Sequence, residues 1–213
     1  MLVIGASTEE SLGYQVGESV RQLLGCRVEY ASRSGFLGRQ CDVRDATMVR
    51  NIVNDVRPHV IVQAAGVYSD GQELHELGAT TLLPSMYAHI LAKSIGTLLL
   101  LGAAVATGGV RHFVAFGGRE VSSAPSYGVY TAANGAMWSV VEFANRHTNI
   151  RSHLIDLPLV EGSAMGKRFL EDTKVNADVS GAIPMQTVTE TVLSILRDEV
   201  EPGRIILGEG WTV

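Results

Sequence analysis

The chain has 213 residues, 46% of them hydrophobic, and a formal net charge of −5. That length makes a single domain, residues 1–213, with ample material for a core. An acidic balance with no basic stripe excludes nucleic acid as an expected partner. The apolar stretch Thr97–Ala106 is too short to cross a bilayer, so no membrane partner is expected. Cys26 and Cys41 form neither a disulfide framework nor a metal spacing and read as buried free thiols. With the first strand starting at Met1, no signal peptide is expected, and the location reads as cytoplasmic.

A short apolar run from Met1 meets Gly5. Small and polar residues follow, and then a helix with Val16, Val20, Leu23 and Leu24 on one face. A glycine at that turn lets a ligand approach the backbone, and the helix start offers free N–H groups to an anion. The natural guest is a dinucleotide pyrophosphate, although the stretch from Gly5 to Gly13 is longer than G-x-G-x-x-G allows. The alternative is a plain turn whose glycines pack a helix onto a sheet.

Arg27–Ala31 reads as a second strand ending in Ser32-Arg33-Ser34-Gly35, and Gly38–Val43 as a short third segment. A helix follows, with Met48, Ile52, Val53 and Val56 on one face, Asp45 as its cap and Pro58 as its stop. His59–Ala64 is a fourth strand, closing on Gln63-Ala64-Ala65-Gly66. A long helix is expected from about Pro84 to Ala106, then a fifth strand, His112–Phe116, halted by Gly117-Gly118. A helix near Val129–His147, a strand at Ser152–Asp156, a helix at Thr187–Val200 and a closing strand at Arg204–Leu207 complete the order. Between them Glu161–Pro184 is mixed and carries no readable motif. Alternating strands and helices demand a parallel sheet covered on both faces, which binds ligands at the carboxyl ends of its strands.

Taken together, these stretches resemble the short-chain dehydrogenase/reductase family, essentially end to end. The resemblance rests on the glycine loop, Ser32-Arg33, Cys41-Asp42-Val43, Gln63-Ala64-Ala65-Gly66, Tyr130-Thr-Ala-Ala-Asn134 and the closing Gly203–Gly210. The Gly5-x5-Ser11 loop is most like that of the enoyl-acyl-carrier-protein reductase branch. The resemblance implies a single-domain, doubly wound Rossmann fold with about seven parallel strands.

It also implies a cofactor site. Gly5, Ser7, Ser11 and Gly13 would hold the pyrophosphate, Asp42 and Val43 the adenine, and Ala64, Ala65 and Gly66 the adenosine ribose. Val160 would lie near the nicotinamide. Arg33, beside Ser32, stands where the ribose 2′ oxygen belongs, and a guanidinium there accepts a phosphate. NADP (NADPH) is therefore the expected cofactor, a solvated surface arginine being the alternative.

The resemblance fails at the chemistry. The family uses Ser, Tyr and Lys, with an Asn on the preceding helix. Here Tyr130 matches, Asn134 replaces the Lys, Gly117 stands about where the Ser belongs, and Lys93 replaces the Asn. An ordinary phenol, with a pKa of about 10, enters a reduction in the right protonation state and an oxidation in the wrong one. The expected reaction is reduction of a small carbonyl or enoyl substrate, with turnover raised by Gly117→Ser and Asn134→Lys. The alternative is a catalytically silent NADP-binding sensor or partner subunit. A sugar-nucleotide epimerase is a weaker third reading, since the chain lacks length for a substrate domain. Lys93 is either a relocated cation, bonded to Asn134 beside Tyr130 with His89 one turn earlier, or a snorkelling surface lysine. Tyr127 reads as a packing residue, and Ser122 and Ser123 as loop residues. The apolar circumference of the helix near residues 84–106 predicts a homodimer or homotetramer.

Overall fold

The computed structural model describes residues 1–66, 83–118, 128–171 and 181–208. In chain order they form β1 (Leu2–Ile4), α1 (Leu12–Leu24), β2 (Glu29–Ser32), β3 (Arg39–Gln40), α2 (Ala46–Val56) and β4 (Val60–Gln63). Then come α3 (Leu83–Ile90), a π turn (Leu91–Ile95), α4 (Gly96–Thr107), β5 (His112–Gly118), α5 (Gly128–His147) and β6 (Arg151–Leu157). The last elements are α6 (Ala164–Glu171), α7 (Met185–Leu196) and β7 (Gly203–Ile206).

The strands make one seven-stranded sheet, parallel throughout, in the order β3-β2-β1-β4-β5-β6-β7. From β1 the chain runs outward to β2 and β3, then returns to place β4 on the other side of β1. That reversal opens a crevice at the carboxyl ends of β1 and β4. The parallel sheet covered on both faces that the alternation demands is observed, with the doubly wound Rossmann order that the resemblance implied.

Each face of the sheet carries a core. On one face Ile4, Ile61, Phe113 and Leu154 pack beneath α2, α4 and α5, together with Ile52, Leu100 and Met137. On the other face Val3, Val62, Val114 and Ile155 pack beneath α1 and α7, with Val16, Val20, Val188 and Val192. Burying a side chain such as Phe113 or Leu100 completely contributes about 2–3 kcal/mol. Local chemistry sets the ends. Asp45 caps α2 by accepting from the N–H groups of Thr47 and Met48 at 2.8 and 3.0 Å. Gly25 closes α1 in the left-handed conformation.

The long helix departs from expectation in two ways. It is interrupted by the π turn, where the N–H of Gly96 donates to the carbonyl of Leu91. It is also long and apolar enough, over Tyr87–Thr107, to cross a membrane by length and composition, which Thr97–Ala106 alone did not suggest. Half of that window is buried inside the fold, against α2 and α5, as in a core helix. Its outer side carries an exposed stripe, Tyr87, Leu91, Ile95, Leu98 and Val105, at helical spacing. Cys41 is a buried free thiol as expected, whereas Cys26 is only partly buried. Tyr127, Ser122, Ser123 and Gly210 lie outside the described residues.

Candidate active site

The carboxyl ends of β1, β2, β4, β5 and β6 open into one cavity of about 510 Å³. Its first wall is the loop Gly5–Ser11. Gly5 has φ +100°, and a Cβ there would stand 2.3 Å from the amide nitrogen of Ala65, so only glycine lets β1 and β4 end side by side. Ser11 occupies the N-cap of α1, but its hydroxyl donates to the Thr8 carbonyl and gives the helix no side-chain cap. The first turn of α1, which begins with Leu12 on the cavity wall, therefore takes no side-chain acceptor from its capping residue. Gly13 does not line the cavity. A Cβ there would meet the Ala64 Cβ at 2.9 Å and Val3 Cγ1 at 3.1 Å, so Gly13 serves the packing of α1 on the sheet.

Ser32, Arg33, Asp42 and Val43 form the far wall. The Ser32 hydroxyl accepts from the Gly35 N–H at 3.1 Å and shapes the turn that presents Arg33. Asp42 is not a free acceptor for a base. Arg44 grips both its oxygens, Nε to Oδ1 at 2.9 Å and the terminal nitrogen to Oδ2 at 2.6 Å, and holds the carboxyl below the usual range. Arg44 itself lines the cavity, a residue the sequence pattern did not single out.

Ala64, Ala65 and Gly66 lead from β4 toward the helix that carries Lys93. Gln63 fastens the two together: its Nε2 donates to the Ala92 carbonyl at 3.1 Å, and its Oε1 accepts from the Ala65 N–H at 2.9 Å. The Thr97 hydroxyl donates to the Lys93 carbonyl at 2.6 Å. These bonds hold the π turn so that Lys93 points inward, 4% exposed. Its Nζ donates to Asn134 Oδ1 at 2.9 Å and to the Phe116 carbonyl at 3.5 Å, and lies 4.8 Å from the centre of the Tyr130 ring. Lys93 is thus no snorkelling surface lysine. Asn134 stands behind it, outside the cavity lining, with its buried Nδ2 unpaired among the described residues. The His89 ring meets Tyr130 edge-on, centroids 6.3 Å apart.

The missing hydroxyl is displaced by one residue from the position counted in the sequence. A Cβ on Gly117 would point at Asp156 Oδ1, 2.2 Å away, a buried carboxylate paired with Arg204. A Cβ on Gly118 would stand 2.1 Å from the Tyr130 hydroxyl. Gly118 is therefore the β5 residue that faces Tyr130, and Tyr130 fills the space of any side chain there. Gly117→Ser would restore nothing, because its side chain would enter the wrong compartment.

The roof is α6, which lies within the stretch that carried no motif. Val160 lines the cavity, and its carbonyl accepts from the Ser163 hydroxyl at 2.9 Å. Ser163 Oγ in turn accepts from the Gly166 N–H at 3.0 Å and starts the helix. A serine ahead of the amphipathic run Ala164–Glu171 was the available sequence signal. The Ala164 N–H donates to the Glu10 carbonyl at 2.9 Å, and Lys167 pairs with the Glu10 carboxylate at 2.7 Å, so the roof is tied to the glycine loop. Met165 reaches across: a Cβ on Gly66 would lie 3.7 Å from Met165 Cε and 3.6 Å from Lys93 Cε. Among the described lining residues, four cations (Arg33, Arg44, Lys93, Arg168) face one carboxylate, Asp42, in a chain of net charge −5. Uncapped N–H groups, the Gly5 cradle and this excess of positive charge fit an anionic dinucleotide.

The sheet order and this cavity define a doubly wound, Rossmann-type architecture. No family model matches the sequence, and no curated protein matches it. Solved structures match over nearly the whole chain. The protein lin1944 from Listeria innocua superposes with a TM-score of 0.77 at 18% identity, covering 97% of this chain and 98% of that one. A small-chain dehydrogenase in complex with NADPH gives 0.74 at 16% identity, covering 97% and 94%. A short-chain dehydrogenase/reductase superfamily protein from Agrobacterium tumefaciens with bound NAD gives 0.70 at 16% identity, covering 97% of this chain and 76% of its own. The chain has the fold of the short-chain dehydrogenase/reductases.

Proposed function

We propose that the protein is an NADP-dependent oxidoreductase that reduces a small carbonyl or enoyl substrate. One observation carries this reading: a single cavity runs from Arg33 and Arg44 past the glycine loop to Lys93 and Tyr130. Cofactor complexes of proteins with this fold, one with NADPH and one with NAD, support a nicotinamide guest. Arg33 selects the phosphorylated ribose, with Arg44 beside it. A cytoplasmic location goes with this reading.

Bound NADPH would supply the hydride. Tyr130 donates the proton to the substrate oxygen, and the ammonium of Lys93 stabilises the charge left on the phenol oxygen. Asn134 is a positioning residue that holds Nζ by the 2.9 Å bond. A cation on α3–α4 and an amide on α5 thus exchange the places that the resemblance leads one to expect. The silent binder is the second reading, favoured by Gly118, which sets no hydroxyl opposite Tyr130.

The test is titration with NADPH and NADH followed by a carbonyl and enoyl panel read at the nicotinamide absorbance. Tighter binding of NADPH, weakened roughly tenfold to a hundredfold by Arg33→Ala with NADH unaffected, is expected. Equal curves for the two cofactors exclude NADP selection by Arg33. NADPH binding without turnover on any substrate moves the function to the silent binder.

The exposed stripe Tyr87, Leu91, Ile95, Leu98 and Val105 supports assembly into a homodimer or homotetramer. A monomer mass by light scattering at micromolar concentration would exclude it.

A further inference from the structure

We propose that the carbonyl substrate is a short oxo acid and that the ammonium of Lys93 is the counter-ion of its carboxylate. This rests on the reductase reading above and names the substrate class that the same site takes.

Lys93 is a cation buried without an anion. It is 4% exposed and reaches the cavity from the π turn. Its partners among the described residues are all neutral: Asn134 Oδ1 at 2.9 Å, the Phe116 carbonyl at 3.5 Å and the Tyr130 ring, centred 4.8 Å away. Those two hydrogen bonds leave one N–H of the ammonium unspent. The carboxylates nearby are committed elsewhere. Asp42 is the one carboxylate among the described lining residues, and Arg44 grips it on the far wall. Asp156, beyond Gly117, is paired with Arg204 and does not line the cavity. Buried charges are paired as a rule, because an ammonium taken from water without an anion is costly to keep. The anion is therefore brought by what binds. The nicotinamide is not that anion, since its ring is neutral when reduced and positive when oxidised. The cofactor phosphates belong, on the reading above, to the glycine loop and Arg33.

The surroundings strengthen such a pair and give it a purpose. Phe116, Leu157, Leu159 and Met165 line the same cavity, and opposite charges attract more strongly among apolar walls than in water. A Cβ on Gly66 would lie 3.6 Å from Lys93 Cε and 3.7 Å from Met165 Cε, so the roof closes on the lysine stem. Gly118 sets no hydroxyl opposite Tyr130, so a neutral carbonyl lacks the second donor that a serine would give. A carboxylate anchored on Lys93, beside the phenol ring, replaces that lost grip. The carboxylate itself is unchanged by the reaction. The carbonyl carbon accepts the hydride that NADPH supplies, Tyr130 passes its phenol proton to the carbonyl oxygen, and a hydroxy acid leaves while the phenolate regains a proton from water.

The probes are pyruvate and acetoacetate, each set against its uncharged methyl ester. Full-length wild type, Lys93→Met and Lys93→Arg are loaded with NADPH for KM, and with NADP+ for Kd by calorimetry, which scores binding without turnover. In wild type the acids should bind roughly tenfold or more tighter than their esters. Lys93→Met should erase that preference while ester and NADPH affinities stay within a few-fold, which a misfolded variant would not do. Lys93→Arg should recover part of it. Esters that bind as well as the acids in wild type overturn the inference, even where Lys93→Met does not fold. So does an acid preference that survives Lys93→Met, or a wild type that binds neither acid at millimolar concentration. Reduction of the esters alone fails this inference and leaves the reductase reading standing. A wild type that binds no NADPH fails that reading itself and takes this inference with it.

Discussion

The two ends of the cavity are built in different ways. The end proposed to hold the nucleotide, around β1, β2 and β4, is made of backbone, glycine and short side chains. Gly5 admits the close approach of Ala64 and Ala65, and the start of α1 faces the cavity without a side-chain cap. The end proposed to carry the reaction, around β5, α5 and the π turn, is made of long side chains meeting from distant elements. Lys93 and Asn134 are 41 residues apart, and Lys93 and Phe116 are 23 apart. A backbone cradle tolerates few changes and keeps its spacing. A side-chain cluster can exchange its members while keeping its groups, as the cation on α3–α4 and the amide on α5 illustrate.

The largest test of that contrast is at Lys93. Lys93→Met should lower turnover a hundredfold or more, on the order of 3 kcal/mol of barrier, and change cofactor Kd only a few-fold. Thermal stability should hold or rise, because a buried ammonium among neutral partners is costly to keep. A Tm that falls along with activity would make Lys93 a structural residue. The reciprocal double variant Lys93→Asn with Asn134→Lys should regain part of the lost turnover that neither single change retains. Failure of the double variant would show that position as well as charge is fixed.

Acid tests the sheet beneath the cavity next. His153, on β6, is fully buried with both ring nitrogens unpaired among the described residues. Burial, aided by His112 and Arg151, lowers its pKa from 6.5 to about 4. The unfolded chain takes up this proton near pH 6.5 and the fold only near 4. The stability held by neutral His153 is thus complete above about pH 6.5 and drains as the pH falls to 4, by about 3 kcal/mol. Urea unfolding at pH 7 and pH 4.5 should show that loss, and His153→Leu should shrink it. At the nucleotide end Asp42 titrates below the usual carboxylate range because Arg44 holds it, so that end contributes little in the same window. An unchanged pH slope in His153→Leu would place the acid-sensitive group elsewhere.

The smallest effect concerns the paired glycines of β5. Gly117→Ser should cost about 1–3 kcal/mol of stability, since its Cβ meets a buried carboxylate. Gly118→Ser should leave the fold more nearly intact and displace Tyr130 instead, lowering turnover. Equal stability losses at both positions would show that Tyr130 cannot yield.

Much of the nucleotide end was legible in the sequence, because glycine spacing and strand alternation are local. Gly5, Ser32-Arg33 and Ala64–Gly66 fall on the cavity as read. Gly13 falls outside the cavity lining, since a glycine that packs a helix and one that borders a ligand look alike in a string. Arg44 was missed because it works through Asp42, a side-chain pairing that no spacing rule encodes. At the reactive end, counting back from Tyr130 gave Gly117, yet the strand turns Gly118 toward the ring. Only the three-dimensional register separates neighbours whose side chains point to opposite sides. The π turn left no mark at all, since Leu91–Ile95 is an ordinary helical sequence.

That turn has a consequence for chain length. A π turn holds one residue more than an α-helix needs over the same span. The helical faces before and after it are therefore offset by about 100°, one residue's share of an α-helical turn. Deleting a single residue from Leu91–Ile95 would let the helix run straight and swing α3 about a third of a turn against α4. His89 would rotate away from Tyr130 while Leu100 and Ala104 kept their seats in the core. One codon, rather than any change of residue type, separates this arrangement of the reactive end from its dismantling.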